Sequence, residues 1–203
     1  MVLLKNDGAL PLSADQNALF VGEFAKKPRY QGGGSSHINP YKVTGAIEAA
    51  PEGVRFVQGY LNDTEEKQEE LLKEVIDAAK EADKVVVFAG LPESYESEGY
   101  DRTHMHLPEN QNKLIHELTK INPQVIVVLH NGSPVEMPWA DDVNAILETY
   151  LGGEAVGAAT VLVLYGDVNP SLGDSSRNLP LKKGIVVIAE KELPIGLTVD
   201  PGA

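Results

Sequence analysis

The chain has 203 residues, 42% of them hydrophobic, enough for one compact domain with a sizeable buried core. Thirty acidic residues against 17 basic ones leave a net charge of −13; such a surface repels the phosphates of nucleic acid and anionic lipid, so neither is expected as a partner. Cysteine is absent, which excludes disulfides, thiolate metal sites, iron–sulfur clusters and cysteine nucleophiles.

In chain order, Met1-Val-Leu-Leu-Lys5 holds an apolar run too short for a secretory leader. A cytoplasmic setting is expected, and the start reads as that of a fragment. Residues 18–24 are predicted as a buried strand, a short apolar run followed by the basic, Gly-rich stretch 25–36. A short helix over 42–50 and a strand over 54–59 come next. Asp63, Thr64, Glu65 and Glu66 offer a capping residue and acids for the positive end of a helix dipole, so a helix is predicted to start there. Its stripe is Leu71, Leu72, Val75, Ile76, Ala79 and Ala82, recurring at spacings of three and four. Residues 84–90 form an almost unbroken β-branched run, the composition of a strand buried on both faces.

A polar loop over 91–106 leads to Pro108, which suits the first turn of a helix striped with Leu114, Ile115, Leu118 and Ile121 and ended by Asn122-Pro123. A strand over 124–129 follows. After a loop containing Pro134, Pro138 and Trp139, a strand over 143–149 and a Gly/Ala-rich helix from about 154 to 164 complete the pattern. Nothing approaches the roughly 18 apolar residues of a membrane span. Strands alternating with amphipathic helices predict a parallel sheet with helices on both faces, and in such sheets ligands bind beyond the carboxyl ends of the strands. The loops 25–41, 91–107 and 130–142 are therefore the candidate ligand loops.

Gly32-Gly-Gly-Ser-Ser36 lets backbone approach a ligand closely, but turn geometry explains it equally well. No dinucleotide or P-loop fingerprint occurs, and neither does a nucleophile elbow. His104 and His106 would share one side of an extended segment without a third metal ligand. His116-Glu117 opens like a zinc-protease helix, but Lys120 stands where the second histidine is needed. No metal or cofactor is expected. Asn131-Gly-Ser133 has the form of a glycosylation sequon but is followed by Pro134. The sharpest local signal is the cluster Glu93, Glu96, Glu98, Asp101 and Arg102 after the 84–90 strand. Closely spaced acids can raise one another's pKa and so prepare a general acid. A solvated acidic loop is the alternative, since such side chains are mostly exposed.

Several motifs occur in one order: Val2-Leu-Leu-Lys-Asn6, Lys27-Pro-Arg-Tyr-Gln-Gly-Gly-Gly-Ser-Ser36, Glu96-Ser-Glu-Gly-Tyr-Asp-Arg102 with Leu107-Pro108 and Gln111. Asn131-Gly-Ser-Pro-Val135, Trp139, Tyr150-Leu-Gly-Gly153 and Gly166-Asp-Val-Asn-Pro-Ser171 continue the series. Together they resemble glycoside hydrolase family 3, in particular the second domain of bacterial β-glucosidases. The resemblance implies a six-stranded α/β sandwich with flavodoxin-like layering over residues 1–171, and leaves 172–203 as an unassigned tail. In that tail, residues 185–189 and 195–199 read as two short strands.

The resemblance also implies that a (β/α)-barrel domain, missing here, carries the aspartate nucleophile of a retaining mechanism. The general acid/base then maps onto Glu98, with Glu96 as runner-up. Ser35 and Ser36 become candidate sugar contacts, while Asp101 and Arg102 are expected to brace the loop through a mutual ion pair. The implied substrate is a β-linked glucoside or oligosaccharide, and the chain alone should be inactive or nearly so. A non-catalytic α/β module that binds a small ligand or a partner protein is the competing reading.

Overall fold

A computed structural model describes residues 1–170 apart from Glu65 and Tyr100, with Ser36 described by its backbone alone. The strands predicted at 185–189 and 195–199 lie outside the described residues. The sheet has strands β1 (Val2–Asn6), β2 (Ala18–Val21), β3 (Arg55–Val57), β4 (Lys84–Gly90), β5 (Val125–His130) and β6 (Ala145–Glu148). Their spatial order is β1-β6-β5-β4-β2-β3. All neighbours run parallel except β1 and β6, which pair antiparallel at one edge. The helices are α1 (Glu23–Lys26), α2 (Ala46–Ala49), α3 (Gln68–Ala79), α4 (Glu109–Thr119) and α5 (Val156–Leu164). No helix among the described residues is long and apolar enough to cross a membrane.

Every residue of β2, β4, β5 and β6 is buried. Successive side chains on a strand face opposite sides, so both faces of the central sheet are covered, as the unbroken apolar runs require. Leu72, Val75 and Ala79 of α3 and Leu114, Ile115 and Leu118 of α4 supply the buried stripes. Lys84–Gly90 is a strand over the predicted residues.

Elsewhere the boundaries differ for identifiable reasons. The strand predicted over 18–24 stops at Val21, because Gly22 turns at φ 105 and Glu23–Lys26 is helical. A Cβ at Gly22 would lie 2.4 Å from the Phe88 carbonyl oxygen, so only glycine fits that turn. The helix predicted to start at 63–66 starts at Gln68 instead. The Thr64 hydroxyl accepts a hydrogen bond from the Glu66 N–H at 3.1 Å, which closes a local turn before the helix. Asp63 and Thr64 therefore do not cap α3. Strand β1 was not predicted at all: its short apolar run shows no alternation, and it becomes a strand only by pairing Val2 with Glu148 and Leu3 with Leu147.

The order of the strands locates the site. From β2 the chain crosses outward through α2 to β3 at one edge, whereas from β4 it crosses through α4 the other way, to β5. Adjacent strands β2 and β4 thus send their following loops in opposite directions and leave a crevice between their carboxyl ends, the usual ligand position in open α/β sheets.

Candidate functional site

Three loops meet at that crevice. The loop after β2 brings Arg29, Gly33 and Ser35; the loop after β4 brings Glu96 and Glu98; the loop after β5 brings Ser133. Together they line an open cleft of about 1010 Å³.

Glu96 does not face the cleft as a free acid. Its side chain is 11% exposed and forms an ion pair with Arg29, whose own side chain is 6% exposed. Glu96 Oε2 accepts hydrogen bonds from Arg29 Nη1 and from the Gly132 N–H, the latter at 3.0 Å, while Oε1 accepts one from the Ser133 hydroxyl. Arg29 Nη1 also donates to the Leu91 carbonyl at 2.9 Å, and Nη2 to the Glu96 carbonyl at 3.1 Å. Three donors and an ion pair occupy most of the acceptor sites of this carboxylate, which leaves it poorly placed to act on a substrate.

Glu98 is placed differently. It is exposed, lines the cleft and takes part in no ion pair among the described residues. Its Oε2 accepts a hydrogen bond from the Ser35 N–H at 2.8 Å. Bonds from the Ser35 hydroxyl and N–H hold its carboxyl below the usual glutamate value. The clustered acids were expected to raise one another's pKa; at Glu98 the direction is the reverse, because the Ser35 donors favour the anion. In the open chain, Glu98 is thus a hydrogen-bond acceptor rather than a proton reservoir.

The resemblance named Ser35 and Ser36 as candidate sugar contacts; in the structure Ser35 touches Glu98. The Ser36 backbone lies in the same single 3₁₀ turn, Gly34–Ser36. Gly34 makes the contact possible: its φ is +77, and a Cβ there would lie 2.5 Å from Glu98 Cβ and 2.7 Å from Oε2. Gly34→Ala is therefore expected to drive Glu98 off the turn while leaving the sheet intact. Titration of Glu98 by NMR should then show its pKa returning toward that of a free glutamate, with a thermal midpoint changed by only a few degrees. An unaltered Glu98 titration would disprove the contact.

Asp101 and Arg102 do not pair. Arg102 Nη2 donates instead to the Pro134 carbonyl at 2.7 Å, which ties the loop after β4 to the loop after β5. His104 and His106 do share one side, their rings stacked with centroids 5.1 Å apart, and His106 Nδ1 lies 2.7 Å from Glu136 Oε2. Among the described residues no group of three or more histidine or acidic side chains could hold a metal ion.

Behind the cleft floor lie two buried ionisable groups that sequence reasoning did not single out. Glu148, wholly buried at the end of β6, accepts hydrogen bonds from the Tyr150 N–H at 2.8 Å and from Asn131 Nδ2 at 3.2 Å. Burial pushes its pKa up to about 8, outweighing those two bonds, and the charge of Glu96 adds to the rise. His130, 1% exposed between Phe24 and Phe88, is pushed down to about 3 by burial alone. The available signal for Glu148 was an acid closing an otherwise apolar strand, Ala145-Ile-Leu-Glu148. For Arg29 it was a lone arginine between the apolar strand and the glycines.

Comparison with known proteins supplies the lineage. The family model described as the glycosyl hydrolase family 3 C-terminal domain matches residues 1–189. Thermostable β-glucosidase B of Acetivibrio thermocellus is 50% identical over 189 residues, a match covering 90% of this chain and 25% of that protein. An exo-α-(1→6)-L-arabinopyranosidase of Bifidobacterium longum is 42% identical over 195 residues, covering 89% of this chain and 26% of that one. Among solved structures, a family 3 β-glucosidase of Bifidobacterium adolescentis superposes with a TM-score of 0.77 at 42% identity, covering 82% of this chain and 25% of that one. The chain thus spans about a quarter of the length of the relatives it matches. On the family match and these identities, it belongs to glycoside hydrolase family 3, as that family's C-terminal α/β domain.

Proposed function

We infer that this domain serves a retaining β-glucosidase-type enzyme, to which it contributes Glu98 as general acid/base together with the Ser35–Ser36 turn as part of the sugar pocket. The observation that carries this reading is the contrast between the two glutamates: Glu96 is largely covered and ion-paired with Arg29, whereas Glu98 stands exposed on the cleft, free of any ion pair among the described residues, at the switch point of the sheet. Retention requires a second carboxyl about 5 to 5.5 Å from the first. A barrel domain carrying an aspartate nucleophile would provide it. Closing the cleft would also bury Glu98 beside a negative charge, and both effects raise its pKa from the depressed value toward that needed by an acid. The aspartate attacks the anomeric carbon as Glu98 protonates the departing oxygen; the same glutamate then takes a proton from the water that releases the sugar.

Alone, the domain has an acid without a nucleophile and half a pocket, so it is inactive or nearly so. The lowered Glu98 pKa favours a second reading, a module that only binds ligand through this carboxylate. The test compares the chain alone with the chain joined to a family 3 barrel on an aryl β-glucoside. Turnover is expected only with the barrel, and Glu98→Gln should lower kcat by about 10²- to 10⁴-fold on a poor leaving group. Undiminished turnover by Glu98→Gln would overturn the acid/base assignment. Calorimetric sugar binding by the chain alone, with no activity once the barrel is joined, would favour the binding module.

A further inference from the structure

The remaining part of the crevice is the ion pair beside Glu98, and its geometry says more than that Glu96 is occupied. Arg29 grips the loop after β4 at two places: the Leu91 carbonyl where the loop leaves the strand, and the Glu96 carbonyl and carboxylate two residues before Glu98. The Glu96 carboxylate in turn holds the loop after β5 through the Gly132 N–H and the Ser133 hydroxyl. The loops are also in close approach, since a Cβ at Gly33 would lie 2.9 Å from the Glu96 carbonyl oxygen and 3.3 Å from Ser97 Cα. One largely covered carboxylate therefore joins all three loops of the cleft. Ser97 alone separates it from the exposed glutamate that meets Ser35.

We propose that Glu96 and Arg29 are positioning residues of the cleft: their largely covered ion pair, seated on Gly132 and Ser133, sets where Glu98 stands relative to the glycosidic oxygen. This rests on the reading of Glu98 as the acid/base. A side chain on an exposed loop samples many positions, and a displacement of about 1 Å at a reacting group costs on the order of 10²-fold in rate. A fully bonded carboxylate on the same short segment removes that freedom.

The experiment uses the complete enzyme, with this domain and its barrel, and compares aryl β-glucosides having a poor leaving group, phenol, and a good one, 2,4-dinitrophenol. Acid assistance matters for the first and hardly at all for the second. Glu96→Gln is expected to lower kcat on the phenyl glycoside by about 10²-fold with KM little changed, and to leave the dinitrophenyl glycoside within about 3-fold. Ser133→Ala, which removes one hydroxyl and spares the fold, should shift the two substrates in the same sense by about 10-fold and less than 2-fold. Sodium azide should yield glycosyl azide from Glu98→Ala, where the acid/base carboxylate is gone, and none from Glu96→Gln.

Glycosyl azide from Glu96→Gln would make Glu96 the acid/base itself and overturn the proposal. Equal losses on both glycosides, or no loss in Ser133→Ala and Glu96→Gln, would overturn it as well, leaving the pair a purely structural tie. Failure of the underlying reading looks different: Glu98→Ala would then hydrolyse the phenyl glycoside at the unaltered rate.

Discussion

Between pH 6.5 and pH 8 the domain is expected to lose about 2 kcal/mol of folding stability, and Glu148→Gln to abolish most of that loss. The cause is a pair of buried groups shifted in opposite directions. Glu148 has its folded pKa raised from 4.5 to about 8, so the folded chain binds one proton that the unfolded chain has released across that window. Its stabilising contribution is complete below 4.5 and is lost as pH rises through about 8. His130 has its folded pKa lowered from 6.5 to about 3, so its contribution is complete above 6.5 and is lost as pH falls through about 3.

Between 4.5 and 6.5 the extra proton on folded Glu148 and the missing proton on folded His130 cancel, and these two groups give a flat profile there. Above 6.5 only Glu148 remains, and each pH unit costs about 1.4 kcal/mol. Urea denaturation at half-unit steps from pH 5 to pH 9 measures this directly. A glutamine of the same shape cannot ionise, so the His130 contribution is no longer cancelled: the variant's stability should rise from pH 5 to about 6.5 and then stay flat to pH 8. Identical alkaline limbs for wild type and Glu148→Gln would refute the assignment.

Arg29→Met should destabilise the domain by about 3–5 kcal/mol, among the largest single-site effects available outside the apolar core. The substitution keeps the bulk of the stem but strands the Glu96 carboxylate at 11% exposure, next to buried Glu148. It also removes the Nη1 donor of the Leu91 carbonyl and the Nη2 donor of the Glu96 carbonyl. Removing the second charge as well, in Arg29→Met with Glu96→Leu, should recover most of the loss, because the penalty is that of an uncompensated buried charge. The Gly132 N–H freed in the double variant can turn to water in the open cleft. A double-mutant cycle by chemical denaturation tests this: additive losses would mean that the two side chains do not interact.

How far the chain could be read from its residues is clearest at particular elements. β4 and β5 were legible because burial on both faces of a sheet writes an unbroken apolar run, and the stripes of α3 and α4 because burial on one helix face imposes a local period of 3.6 residues. β1 was not legible, since an edge strand is defined by its partner, and that partner, β6, lies far along the chain. The start of α3 was misplaced because Thr64 spends its hydroxyl on the turn before the helix rather than on the helix itself. Asp101 and Arg102, adjacent in sequence, suggested a pair, yet the arginine reaches across the cleft to Pro134.

The site divides in the same way. Motif order sufficed to point to family 3 and to rank Glu98 before Glu96 as the candidate acid/base, and the strand pattern pointed to the loops that line the cleft. Neither showed how the surroundings of the two glutamates differ. That difference depends on Arg29, 67 residues before Glu96, and on Gly132, 36 residues after it. Electrostatic environment is a property of what the fold brings within a few ångströms, and no local pattern encodes it. The same holds for Glu148 and His130, whose shifts come mainly from burial that only the closed sheet provides.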